Sequence, residues 1–110
     1  MAKLGQLVLA RGMWNGRRIV AAEWIDQSTA PQVTGASTYF YGYQWWLGRS
    51  LVDKREVTWT AGVGLGGQRI FIVPALDLVV VTTAGLYTSS MQSWVPLETL
   101  NRFVLAAINE

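Results

Sequence analysis

The chain has 110 residues, of which 51% are hydrophobic and 15% are charged, and its formal net charge is +2. This length allows one domain with a modest core. The basic residues are scattered along the chain, so a nucleic-acid surface is not expected. Cysteine and histidine are both absent, which excludes disulfides, zinc fingers, thiol nucleophiles and Ser-His-Asp triads. We expect neither a metal ion nor a cofactor.

The apolar residues do not form a targeting or membrane segment. The apolar stretch Leu4–Leu9 is short and interrupted by Gly5 and Gln6, unlike a signal peptide. No apolar run approaches the roughly 20 residues that span a bilayer. We therefore expect no membrane span, and the compartment stays open. The charged fraction is low for so small a protein, which predicts that part of the surface is covered by further chain or by a partner.

Two short helices are predicted within residues 1–31. The first covers Ala2–Arg11, where apolar residues recur at helical spacing and Gly12 is a suitable C-terminal stop. The second covers Ala21–Gln27 and places Trp24 on its apolar side. Between them, Asn15-Gly16 is typical of a tight two-residue turn.

The pattern changes to that of a sheet in the second part of the chain. Tyr41–Leu47 and Val57–Ala61 alternate as strands do, and Gln68–Val73 is rich in β-branched residues. Leu78–Ala84 is apolar on both faces, which predicts a central strand covered on both sides. A last helix is predicted because one helical face collects Leu97, Leu100, Phe103, Val104, Ala107 and Ile108.

These elements together predict a single α+β domain over residues 1–110. Its helices occupy residues 1–31, and its sheet and C-terminal helix occupy residues 38–110. The sheet is expected to be antiparallel, with three to four strands flanked by helices.

A glycine-rich stretch, Gly62–Gly67, reads GVGLGG and satisfies the dinucleotide-binding pattern G-x-G-x-x-G. In such a site the glycines lie between a strand and a helix, and an acidic residue follows about 20 residues later. Here the glycines are followed by Gln68–Val73, which has strand character, and Asp77 comes too early. The pattern therefore favours the start of a strand, where small residues let another group approach the backbone.

Three stretches carry a family resemblance: "MAKLGQLVLARGMWNGRRIVAAEWI", "YGYQWWLG" and "GLGGQRIFIVPALDLVVVTTAG". Together they cover half of the 110 residues, and the last is the most specific. They resemble the C-terminal part of the serine beta-lactamase and penicillin-binding-protein superfamily. Within it, the nearest relatives are the beta-lactamase-related hydrolases that include class C-like enzymes, esterases and amide hydrolases. The resemblance implies a partial beta-lactamase/transpeptidase-like fold and hydrolysis of an ester, amide or β-lactam carbonyl.

The family's chemistry uses Ser-x-x-Lys, Tyr-x-Asn and a third motif, Lys- or His-x-Gly, on the strand bordering the site. No serine of this chain has lysine three residues later, and no tyrosine has asparagine two residues later. The resemblance therefore implies that nucleophile and base lie in chain upstream of this sequence. The third motif falls on Gly62, Val63 and Gly64, which puts an oxyanion-type N–H on Leu65. Gly62 replaces the expected lysine or histidine, so only backbone function carries over. Trp59-Thr60-Ala61 is a second register.

Other side chains near this motif have two interpretations each. Gln68 either faces the site or is an ordinary strand residue. Arg69 either meets a substrate carboxylate or, by default, is solvated. Adjacent Trp45 and Trp46 point to opposite faces of a strand, so at least one of them packs in a core or an interface.

Two functions of different classes remain open from the sequence. The first is the C-terminal segment of a beta-lactamase-related serine hydrolase, inactive alone. The second is a non-enzymatic interaction or oligomerisation module that completes its sheet with another chain. In both cases the expected partner is either the missing N-terminal part of the domain or a second copy in a homodimer.

Overall fold

Two short helices precede the sheet in the computed structural model, which describes residues 1–35 and 39–108. Helix α1 spans Ala2–Leu9 and helix α2 spans Ala22–Ser28. Strands β1 (Met13–Trp14) and β2 (Arg17–Arg18) form a small hairpin between them. Its turn has positive φ at Asn15 (49°) and Gly16 (75°), as a two-residue turn of primed type requires. The predicted tight turn is confirmed.

The described residues form one larger antiparallel sheet of six strands in sequential order. The strands are β3 (Val33–Thr34), β4 (Phe40–Tyr41), β5 (Trp46–Val52), β6 (Arg55–Gly64), β7 (Gln68–Val73) and β8 (Leu78–Thr82). A 3-10 turn over Pro74–Leu76 joins the last two. The α+β class and the antiparallel sheet flanked by helices are confirmed. The expected count of three to four strands is wrong, and so is the expected start of the sheet at residue 38.

One extra strand is β3, which precedes the predicted sheet, and the other arises because Tyr41–Leu47 is not one strand. The chain turns between β4 and β5, where the Gly42 N–H donates to the Trp45 carbonyl over 2.8 Å. Gln44 has a φ of 70° in this turn, a conformation that no continuous strand contains. A Cβ on Gly42 would lie 2.3 Å from the Ser28 carbonyl oxygen, so the close approach to α2 also depends on glycine here.

Both faces of the sheet are packed. The C-terminal helix covers the first face, whose core is Val52, Val57, Trp59, Ala61, Phe71, Val73, Leu100 and Leu105. Helices α1 and α2 cover the second face, whose core is Val8, Ile25, Ile70 and Ile72. As the alternation predicts, Trp46 packs on the first face and Trp45 on the second.

The strand buried on both faces is β7, and the expectation that Leu78–Ala84 is central is wrong. All residues of β7 except Gln68 are buried. Strand β8 contacts both cores, but it pairs only with β7 and lies at the end of the sheet. Each of its residues is consequently half-buried. The apolar pattern of Leu78–Ala84 correctly predicted that both faces of the strand are packed. It could not predict how many strands lie beside it in the sheet.

The C-terminal helix changes its winding part-way. A 3-10 turn over Ser90–Gln92 leads into α3 (Trp94–Glu98), which continues as a π-helix over Thr99–Leu105. Leu100 and Leu105 are buried five residues apart, the spacing of a π-helix, whereas Phe103 is 62% exposed. The prediction that Phe103 faces the core is wrong because it assumed α-helical spacing throughout.

Trp24 also lies differently from the prediction. Its side chain is 50% exposed, and the neighbouring Ile25 faces the core instead. The Trp24 ring stacks on Tyr43, with centroids 5.6 Å apart and an interplanar angle of 12°. The two rings therefore form a half-exposed aromatic pair on the surface.

Candidate functional site

The glycine-rich stretch forms a tight hairpin. Strands β6 and β7 pair up to Gly64 and Gln68, and Leu65–Gly67 make the turn. Gly66 and Gly67 have φ values of 94° and 107°, which L side chains rarely adopt. A strand follows the glycines, as predicted, so no helix N-terminus is present to bind a pyrophosphate.

The end of β6 is open on one side. Its pairing with β5 stops at Ala61, whereas its pairing with β7 continues to Gly64. The stretch Gly62–Gly64 therefore has one strand neighbour among the described residues, and its other edge is unpaired. Val63 is 48% exposed there. The Trp45 ring flanks this edge, since a Cβ on Gly62 would lie 3.3 Å from it.

Leu65 lies at the end of this open edge and is 69% exposed. None of the backbone hydrogen bonds in the described turns and loops is donated by its amide. A backbone N–H that is free of such a bond, beside an unpaired strand edge, is the kind of donor that can stabilise a developing oxyanion. Gly62, Val63, Gly64 and Leu65 follow one another along this edge, which we call the wall.

The second register, Trp59-Thr60-Ala61, does not offer such an edge. Thr60 and Ala61 pair with β5 on one side and with β7 on the other. Trp59 is buried, and its indole N–H donates to the Ser50 hydroxyl over 3.0 Å. This segment belongs to the core, so a substrate has no access to its backbone.

Gln68, the remaining candidate, fixes the hairpin instead of facing outward. Its side-chain amide donates to the Ala84 carbonyl, and its Oε1 accepts from the Ala84 N–H over 3.2 Å. The side chain therefore acts like a strand partner for the residues that follow β8. We assign it a positioning role for the wall.

Gln92 is a second anchor of the hairpin, and sequence reasoning missed it. Its Oε1 accepts a hydrogen bond from the Gly66 N–H over 2.8 Å. Its Nε2 donates to the Ser89 carbonyl over 3.1 Å. The Leu86 N–H also donates to the Gly66 carbonyl over 2.9 Å. No local pattern signals Gln92, because the contact joins residues 26 positions apart.

Arg69 is buried, at 7% exposure, so the default of a solvated arginine is wrong. Its strand, β7, is also internal. Nη1 donates to the carbonyls of Gly64 and Gln68 over 3.1 and 2.9 Å, and Nη2 donates to the Gln92 carbonyl over 3.4 Å. Burial lowers the pKa of the guanidinium from its ordinary value, because the charged form loses hydration.

The comparisons with known proteins give no relative. A scan against models of protein families finds no match to this chain, and a search of curated proteins finds none either. Within residues 1–35 and 39–108, no group of three acidic side chains is placed to hold a metal ion. The helices in the same part of the chain are too short or too polar to cross a membrane. The function is therefore inferred from the geometry of the hairpin and its edge.

Proposed function

We propose that this chain is the C-terminal segment of a beta-lactamase-related serine hydrolase that acts on an ester, amide or β-lactam carbonyl. The observation that carries the proposal is the unpaired edge Gly62–Gly64, which ends at Leu65, an exposed residue whose amide donates none of the backbone hydrogen bonds in the described turns and loops. In this proposal the sheet is the corresponding part of a beta-lactamase/transpeptidase-like fold. The family resemblance of the sequence supports the same assignment.

The wall would act through its backbone alone. Attack on a carbonyl places negative charge on its oxygen, and a fixed N–H aimed at that position lowers the barrier. Gly62 and Gly64 carry no side chain of their own, so an extended substrate can lie along this edge, beside the Trp45 ring and the Val63 side chain. The serine nucleophile and its base would come from the remainder of the protein, since their motifs are absent from this sequence.

The chain alone is expected to hydrolyse neither nitrocefin nor p-nitrophenyl acetate above the buffer background. An oxyanion donor without an activated nucleophile forms no acyl intermediate. The measurement is an absorbance assay on the purified, folded chain. Clear turnover that disappears when one of its six serines is replaced by alanine would contradict the proposal.

The runner-up, an interaction or oligomerisation module, is favoured by the position of β8. This strand has β7 on one side and, in the described part of the chain, no strand on the other. Such an edge leaves N–H and C=O groups available for pairing with another strand. Both hypotheses require that another chain segment pairs with the free edge of β8. This segment is either the N-terminal part of the domain or a second copy of the chain.

The isolated chain is accordingly expected to self-associate, with a homodimer as the simplest form. Large apolar side chains such as Leu65, Trp94 and Phe103 are more than half exposed, and covering a few hundred Å² of such surface is worth several kcal/mol at about 25 cal/mol per Å². Size-exclusion chromatography with light scattering over a dilution series measures this directly. A stable, well-folded monomer at every concentration would contradict the need for a covering partner.

A further inference from the structure

A cavity of about 240 Å³ lies between the first face of the sheet and the start of the C-terminal helix. Four aromatic rings line most of it, from Tyr39, Trp46, Trp59 and Phe71. The rings support one another, because Trp59 meets Phe71 edge-on at 5.3 Å and Tyr39 at 5.8 Å between centroids. The arrangement is a preformed apolar pocket with fixed walls.

One cationic side chain, Arg69, also lines this cavity, and its charge is not neutralised by any described carboxylate. Its three hydrogen bonds all go to neutral carbonyl oxygens. A guanidinium has five N–H donors, so two of them have no partner among the described residues. No buried side-chain nitrogen lacks a partner in the described part of the chain, so the two free N–H donors of Arg69 reach open space, where a bound anion would accept from them.

We propose that this cavity binds a small organic monocarboxylate with an aromatic or branched apolar body. The apolar body lies among the four rings, and the carboxylate meets Arg69, with Ser93 beside it on the cavity wall. A cation is disfavoured by Arg69, and a phosphate would bring more charge into a mostly apolar pocket than one guanidinium neutralises. This binding site goes beyond the proposed hydrolase function; it adjoins the wall, because Val63 lines the cavity and Arg69 donates to the Gly64 carbonyl, but it needs no nucleophile.

The probe for the test is phenylacetate, and its neutral control is phenylacetamide. Binding is followed by two-dimensional ¹H–¹⁵N NMR on the indole N–H signals of Trp46 and Trp59. We expect both signals to shift and phenylacetate to bind at least about tenfold more tightly than phenylacetamide, as a charge-assisted hydrogen bond implies. Equal affinity for acid and amide, or no shift of either signal at millimolar probe, would overturn the proposal.

Three variants make the test specific. Arg69→Gln should remove the preference for the acid. Arg49→Gln should keep it, because Arg49 is an exposed arginine that pairs with Glu56 over 3.4 Å. Val63→Trp retains Arg69 but places a large ring on the exposed part of the cavity wall. It should weaken the binding of phenylacetate at least about tenfold. If Arg69→Gln does not fold, the test rests on the comparison of phenylacetate with phenylacetamide and on Val63→Trp. An unchanged affinity of Val63→Trp for phenylacetate would overturn the proposed site.

Discussion

Replacing Leu65 with proline is expected to lower kcat by about 10²–10³-fold in a hydrolase assembled from this chain and the part that carries the nucleophile. Proline has no N–H, so the substitution removes the proposed oxyanion donor. Loss of one such donor typically costs this much. Because the wall acts in the transition state, KM should change much less than kcat. The measurement is steady-state hydrolysis of p-nitrophenyl acetate.

Leu65→Ala is the matched control for that experiment. It keeps the N–H and removes a side chain that is mostly exposed. Its kcat should therefore stay within about threefold of the unsubstituted protein's kcat, a much smaller change than the loss of an oxyanion donor causes. Circular dichroism verifies that both variants keep the fold. Equal loss of activity in Leu65→Pro and Leu65→Ala would show that the side chain matters and the amide does not.

Gly66→Ala is expected to destabilise the isolated chain by about 2–5 kcal/mol. Two costs add: the left-handed backbone strain of a non-glycine residue, about 1–2 kcal/mol, and overpacking, about 1–3 kcal/mol. The backbone has a φ of 94°, and a Cβ at this position would lie 2.6 Å from the Tyr87 ring. Urea unfolding followed by tryptophan fluorescence measures the free energy of unfolding.

Gly16→Ala separates the two costs. Gly16 also has positive φ, at 75°, but a Cβ there would meet nothing within 4 Å. It should therefore cost only about 1–2 kcal/mol, the strain alone. Equal loss of stability in the two variants would show that the Tyr87 ring does not lie against Gly66.

The sequence predicted those elements whose signals are local. Asn15-Gly16 specified its turn because both residues tolerate positive φ. The turn between β5 and β6 also has positive φ, at Asp53 (48°) and Lys54 (66°), but lysine has no preference for that conformation and so gives no signal of it. The predictions failed where one sequence pattern is compatible with two different structures. The alternation over Tyr41–Leu47 hid a turn at Gln44, and the apolar run at Leu78 gave no signal of its place in the sheet.

The candidate site was predictable only in its backbone. The glycine spacing and the family resemblance indicated Gly62–Gly64 and Leu65; the structure shows an unpaired edge there, and its role as a site wall stays a prediction. The supporting contacts were not predictable, because Gln92 reaches Gly66 from another element. The same holds for Arg69, whose burial depends on carbonyls contributed by Gly64, Gln68 and Gln92. Such contacts follow from tertiary packing, which single-residue preferences do not encode.

The central claim is that this chain completes a serine hydrolase whose nucleophile lies upstream. The most direct measurement is the DNA sequence immediately preceding the Met1 codon. We predict an open reading frame in phase with Met1 that encodes Ser-x-x-Lys and, after it, Tyr-x-Asn. An in-phase stop codon shortly before Met1, with neither motif encoded between that stop codon and Met1, would contradict the claim and favour the interaction module.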